Sequence, residues 1–164
     1  MKRIKKTCIF LFLTALSFMY IACGKTHAFV GTYDGVTTTE GEISVYAQGY
    51  IDEKQEITDS KQNVRFEISK GKEKNRIVLK QTQGDENSQF EAVGIVDGKE
   101  VTFLPFTMPI AYGEIKTDVQ VINMKAVIND GELTYSYSYG HTQDLGFISF
   151  RLKMKAKGIA EKNK

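Results

Sequence analysis

The stretch Ile148-Ser149-Phe150-Arg151-Leu152-Lys153-Met154-Lys155-Ala156 decides the fold. Apolar and polar residues alternate along it without a break. A strand turns successive side chains to opposite faces, so this period of two predicts a strand with one buried and one wet face. Ile148, Phe150, Leu152, Met154 and Ala156 are expected inside, and Lys153 and Lys155 outside. Two further windows repeat the pattern. Leu133, Tyr135, Tyr137 and Tyr139 alternate with Thr134, Ser136 and Ser138, and Val64, Phe66 and Ile68 alternate with Arg65, Glu67 and Ser69. No comparable window repeats at the helical period.

Turn residues divide the rest of the chain. Asp97-Gly98 and Asp130-Gly131 each lie between alternating runs, the strongest short-range hairpin signal, because a type I′ turn needs positive φ at both central residues. Glu40-Gly41, Lys70 to Asn75, Gln83 to Ser88 and Gly140 to Gly146 are weaker turn signals. Strands are predicted at about 29–39, 42–52, 63–70, 76–83, 89–96, 99–107, 115–128, 132–139 and 147–157. Pro105 and Pro109 should end a strand or bulge it, since proline cannot donate to a ladder. The polar stretch Asp52 to Gln62 reads as a loop. Short connections in series, with no crossover helix, give an all-β antiparallel up-and-down meander. Closure into a barrel of roughly eight strands removes its exposed edges.

The N-terminal segment has a different character. Lys2, Arg3, Lys5 and Lys6 precede an apolar run from Ile9 to Ile21, and Ala22 precedes Cys23. A basic start, an apolar core and a small residue before the cut mark a secretory signal. A cysteine directly after that residue resembles a bacterial lipoprotein signal, although Tyr20 stands where such motifs usually carry Leu. That resemblance implies that residues 1–22 are removed and that Cys23 is acylated, for instance with palmitate; a plain secretory signal or an uncleaved anchor is the alternative, the uncharged run from Thr7 to Gly24 being short for a spanning helix. Residues 23–27 then form a lipidated tether, 28–158 the barrel domain, and 159–164 a disordered tail. Cys8 leaves with the signal, so no disulfide is expected in the mature chain. The 22 basic and 20 acidic residues give the whole chain a net charge of +2, and loss of the four basic signal residues makes it −2. No basic field is expected, and hence no nucleic-acid partner. The row Lys153, Lys155, Lys157 reads as a solvated strand face.

Phe29-Val30-Gly31-Thr32-Tyr33-Asp34-Gly35 opens the first strand, and the hairpin Asp130-Gly131-Glu132-Leu133-Thr134-Tyr135 precedes a long last one. With the lipoprotein signal, this layout resembles the calycin-like (lipocalin-like) β-barrel lipoproteins of Gram-negative bacteria. The motif behind the resemblance is Gly31-x-Tyr33, where lipocalins carry Gly-x-Trp, and it implies that Tyr33 plugs one end of the barrel. Lipocalins also lay a late-strand arginine over that aromatic. Arg151 is the only arginine in the last strand, with parity opposite to Phe150 and Leu152. The resemblance further implies an envelope location. An outer-membrane anchor with the domain in the periplasm is expected, because the tether lacks the acidic residues of surface-export tags; the surface face is the other location considered.

Catalytic chemistry finds few residues. His27 lies in the tether and His141 in a turn, and no cysteine remains to join them, so no metal site and no cofactor is expected. No serine sits in a nucleophile elbow. The chain is therefore expected not to be an enzyme. The aromatic residues are more suggestive. Tyr135, Tyr137 and Tyr139 share one strand face, with Phe103, Phe106, Tyr112 and Tyr33 as further candidates for lining a cavity mouth. Two functions follow. One is a lipid-anchored, non-catalytic binding protein for a small apolar or amphipathic ligand. The other is a structural or protein-interaction lipoprotein whose barrel is filled by its own side chains, with the partner unspecified.

Overall fold

The computed structural model describes residues 26–47, 50–84, 89–112 and 115–164, without the side chains of Asp52, Tyr112 and Ile115. Cys23 and residues 1–22, read above as a signal, lie outside the described residues. Ten strands follow in order: β1 (Gly31–Ala47), β2 (Tyr50–Lys70), β3 (Arg76–Gln83), β4 (Glu91–Asp97), β5 (Glu100–Phe103), β6 (Phe106–Tyr112), β7 (Ile115–Val121), β8 (Lys125–Asn129), β9 (Glu132–Asp144) and β10 (Ile148–Lys162). All ladders are antiparallel, and β10 pairs with both β1 and β9. Eight strands thus close a ring in the order β1-β2-β3-β4-β5-β8-β9-β10. The hairpin β6–β7 stands outside this ring, and among the described residues one ladder pair, Val121 with Tyr139, ties it to β9.

Closure depends on how the inward side chains fit. Tyr33, Phe66, Ile77, Leu79, Val101, Leu133 and Tyr135 fill the interior and are almost fully buried. Small residues on β10 make room for them. A Cβ on Gly158 would fall 2.3 Å from the Tyr135 hydroxyl and 2.7 Å from the Val36 carbonyl oxygen. Bulky and small inward residues must alternate in this way for a narrow ring to close. Tyr135 passes over Gly158 and its hydroxyl hydrogen-bonds Thr37 on β1, while its ring meets Phe66 edge-on at 5.1 Å. One side chain therefore ties β9 to β1 and β2 across β10.

The lower end is shut by the turn at Thr26–Phe29. The Tyr33 hydroxyl donates to the Phe29 carbonyl at 2.8 Å, and Lys162 Nζ lies 5.9 Å from the Tyr33 ring centre. Tyr33 is thus fully buried at this end of the ring. The cation beside it is Lys162, not Arg151, which stands on the outer face above Tyr46 at 5.1 Å. Parity set Arg151 outward, and parity prevailed over the lipocalin pattern.

The alternating windows agree with the structure, and the polar windows do not. Phe150, Leu152, Met154 and Ala156 are buried, and Lys153 and Lys155 are exposed. Ile148 is 48% exposed, because it lies at the strand tip where no element covers it. Glu40-Gly41 is not a turn: β1 runs through it with a local irregularity in its pairing to β2. Asp52 to Gln62 is not a loop but part of β2. There β2 pairs with β1 alone, both its faces reach water, and no apolar row is required. The disordered tail at 159–164 is also corrected, since β10 extends to Lys162. Gly158 and Ala160 continue its inward row without looking apolar, and the end is held by Lys162 N–H to Gly131 O and Asn163 N–H to Thr32 O.

The proline expectation holds at Pro105, where β5 and β6 separate. Pro109 instead lies inside β6, paired with Asp118; β6 ends the strand order, so its missing N–H costs no ladder bond on the open side. The segment 115–128 breaks at residues 122–124 into β7 and β8. Asp130 and Gly131 both have positive φ, as a type I′ turn requires; at the other hairpin the turn pair is Gly98-Lys99, with positive φ on Gly98.

Denaturant melts test this arrangement. Gly158→Ala should destabilise by about 1–3 kcal/mol, as overpacking of a tight core does. Phe150→Ala should cost about 3–5 kcal/mol, and Lys153→Ala should stay within about 0.5 kcal/mol of the parent. A lysine change more damaging than the phenylalanine change would invert the assigned faces.

Candidate binding surfaces

The aromatic residues singled out in the sequence do not meet at one mouth. Tyr33 is buried at the lower end, and Tyr135 is held in mid-core by Phe66 and Thr37. Phe103 is buried on β5, across the ring. Higher up, Phe106 stacks on Phe90 with centroids 4.8 Å apart, Tyr137 meets Phe90 edge-on at 6.3 Å, and Tyr139 stacks on Tyr137 at 6.1 Å. These three are partly buried. The side chain of Tyr112 and the whole of Cys23 lie outside the described residues. Burial pushes the phenols of Tyr33 and Tyr135 up to about 12, and raises those of Tyr137 and Tyr139 as well. All four remain protonated at neutral pH and act as packing surface with a hydroxyl.

Above the ring a second, smaller core forms between the long strands. Ile43, Phe150, Leu152 and Met154 are buried there, with Val45, Ile57, Ile110 and Tyr139 half-buried against them. Ile110 belongs to β6, so the hairpin β6–β7 leans over this upper half. His141 is partly buried beside it, with its Nε2 3.3 Å from Thr117 Oγ1. His27 meets Lys70 Nζ at 2.9 Å. Among the described residues no group of three His, Cys, Asp or Glu side chains could hold a metal ion.

Sequence reasoning missed the apolar tip. Tyr50, Ile51, Leu145, Phe147 and Ile148 are between 48% and 86% exposed. The ladders bring them to one end of the long strands: Ala47 pairs with both Tyr50 and Ile148, Tyr46 pairs with Ile51 on the opposite face, and Leu145 N–H bonds Ile148 O at 2.8 Å. The signal available was the run Leu145-Gly146-Phe147-Ile148, too apolar for a solvated turn. The tip stands far from the start of β1. β1 runs 17 residues from Gly31 to Ala47, a span of about 50 Å at strand rise.

No family model matches this chain, and no curated protein matches it. Among solved structures the chain is similar to a mutant of the vaccine antigen transferrin-binding protein B from Haemophilus parasuis Hp5. The TM-score is 0.37 and the sequence identity 14%, over 84% of this chain and 28% of that one. This chain therefore spans less than a third of that protein. A likeness at this level transfers no function, and the readings below rest on the chain's own residues.

The buried phenols set an alkaline limit on stability. A phenol whose pKa is raised from 10.0 to about 12 in the folded state stabilises the fold fully below the unfolded value. That contribution is lost as pH rises from 10 toward 12. Urea unfolding should therefore give a constant free energy from pH 7 to about 9 and a decline above pH 10. Tyr135→Phe should be less stable at pH 8 by about 1–2 kcal/mol, since Thr37 loses its partner, and should decline less steeply in alkali.

Proposed function

We propose that this protein is a non-catalytic, lipid-anchored envelope protein whose ring of strands is a filled scaffold and whose contacts are made on its outside. One observation carries the reading: the inward positions of the ring are occupied by its own side chains, with Tyr33, Phe66, Ile77, Leu79 and Leu133 at 0% exposure. A ring of eight strands is just wide enough either to be filled in this way or to hold one small ligand. Near-zero exposure on several strands at once supports the first. The anchor is Cys23, read from the lipoprotein signal. The calycin-like reading remains part of the proposal, supported by the eight-strand ring and by Tyr33 in the plug position.

The apolar tip supplies the outward contact. Exposed large apolar residues in one patch mark an interaction site. The patch lies about 50 Å up the strand from the tethered end, so an upright domain would present it away from the anchoring bilayer, to another protein. A second reading keeps the small apolar ligand and places it in the upper half, where Tyr137, Tyr139, Phe106 and Ile110 are only half-buried.

Native mass spectrometry of the full chain, purified from cells in a neutral detergent, separates the two readings. The expected spectrum shows the chain with its acyl groups and no other retained molecule. A stoichiometric small molecule released on activation would overturn the filled scaffold in favour of the ligand carrier. Cys23→Ala should remove the acyl mass and release the protein from membranes; a variant that still sediments fully with membranes would refute the anchor.

A further inference from the structure

We propose that the outward face of β9, β10, β1 and β2 is a binding trough for an extended acidic polysaccharide. The inference is independent of what the apolar tip contacts.

The trough is built by register. Lys153, Lys155 and Lys157 follow one another on the outward side of β10. Thr38 pairs with both Lys61 and Lys157, and Ser136 pairs with both Lys157 and Lys125. One rung across five strands therefore reads Lys61, Thr38, Lys157, Ser136, Lys125. At about 4.8 Å between strands its three lysines stand about 10 Å apart. The surface here is hollowed. A recess of about 890 Å³ lies around Lys153 and Lys155, another of about 300 Å³ between Lys155 and Lys157, and a third of about 540 Å³ between Lys157 and Lys61. Lys155 lines the first two and Lys157 the last two, so the three are continuous. From Lys153 to Ile159 the trough follows β10 for about 20 Å.

Its charge is unbalanced. Lys61, Lys125, Lys155 and Lys157 have no ion pair among the described residues. Three acids line the first recess: Lys54 holds Glu42 at 3.1 Å and Glu56 at 3.3 Å, and Glu42 is also flanked by Lys153 and Arg151. Glu40 is the one unpaired carboxylate among these lysines in the described structure. The mature chain as a whole is read as net −2, so a row of free ammonium groups here is a local excess.

Three features favour a charged sugar chain over other anions. The backbone groups of β1 and β10, which floor the trough, are used in ladders on both sides, so a peptide laid along β10 gains no main-chain pairing there. A hollow face fits a chain better than it fits a flat bilayer. Hydroxyls of Thr38, Thr134 and Ser136 stand beside the lysines, and Val36 and Ile159, 39% and 52% exposed, give an aliphatic surface in the same trough. Ammonium groups match carboxylates, hydroxyls match hydroxyls, and the aliphatic patch matches the C–H face of a sugar ring.

The test is binding of the full chain, in neutral detergent, to polygalacturonate, with neutral dextran and phosphatidylglycerol-containing vesicles as the other probes. Polygalacturonate should bind, more weakly as salt rises. Dextran should not. The variant K61Q/K155Q/K157Q should bind about tenfold more weakly, for the loss of three exposed charge contacts. E40Q should bind more tightly than the parent. K72Q/K74Q, which removes two exposed lysines from the turn between β2 and β3, should bind like the parent. Equal melting temperatures confirm that the variants are folded. The proposal is overturned if polygalacturonate does not bind, if dextran binds as well, or if the triple variant matches the parent. It is also overturned if K72Q/K74Q loses as much as the triple variant, or if the vesicles alone are bound.

Discussion

The fold depends on one crossing: the ring of Tyr135 lying over Gly158 with its hydroxyl on Thr37. Most other ladders join strands that follow one another in the chain, and β5 meets β8 across only the β6–β7 hairpin. The β1–β10 pairing is different. It joins the two ends of the chain, more than a hundred residues apart, and its loop-closure entropy is offset only once the interior is packed. Tyr135 needs the glycine beneath it to reach β1, and its buried hydroxyl needs Thr37 as a partner. Glycine in a strand interior weakens the strand by itself. Here the missing Cβ is what admits the side chain that closes the ring.

The same packing limits what the ring can do. With no disulfide expected in the mature chain, stability rests on filling the interior, and a filled interior leaves little room for a guest. The upper half is under a looser constraint. β1, β2, β9 and β10 rise past the short strands β3, β4, β5 and β8, and only the small second core and the β6–β7 hairpin cover their inward face. The proposed contacts fall on the exterior and at the top for a physical reason: the closed part is committed to holding the fold.

Legibility in the sequence followed the same division. Strands buried on one face declared themselves by alternation, as at Phe150, Leu152 and Met154, and the Asp-Gly turns set the hairpins to within a residue. The all-β class and the eight-strand closure could be read from these. The polar part of β2 could not, because a strand wet on both faces has no periodicity to show. The candidate site was less legible still. Tyr135 and Tyr137 share a face with Tyr139, yet how deeply each is buried depends on which strands lie opposite. Lys61, Lys125 and Lys157 are far apart in sequence and meet on one rung only through register, which local patterns do not encode.

The open upper half leaves one strand edge with features that oppose pairing with a second copy. Over residues 50–64, β2 has β1 on one side and no strand on the other among the described ladders. A free edge of this length invites another strand. Two features oppose it. Glu53, Lys54, Glu56 and Lys61 place charge along the edge, and an incoming strand would have to desolvate it. Asp59, with φ of 51°, breaks the regular spacing of N–H and C=O groups where β2 slips against β1 between Thr39 and Gly41. The polarity that hid this strand in the sequence is therefore what protects its edge. It leaves the long strands free to carry an apolar tip at one end and a basic trough along one side without recruiting a second sheet.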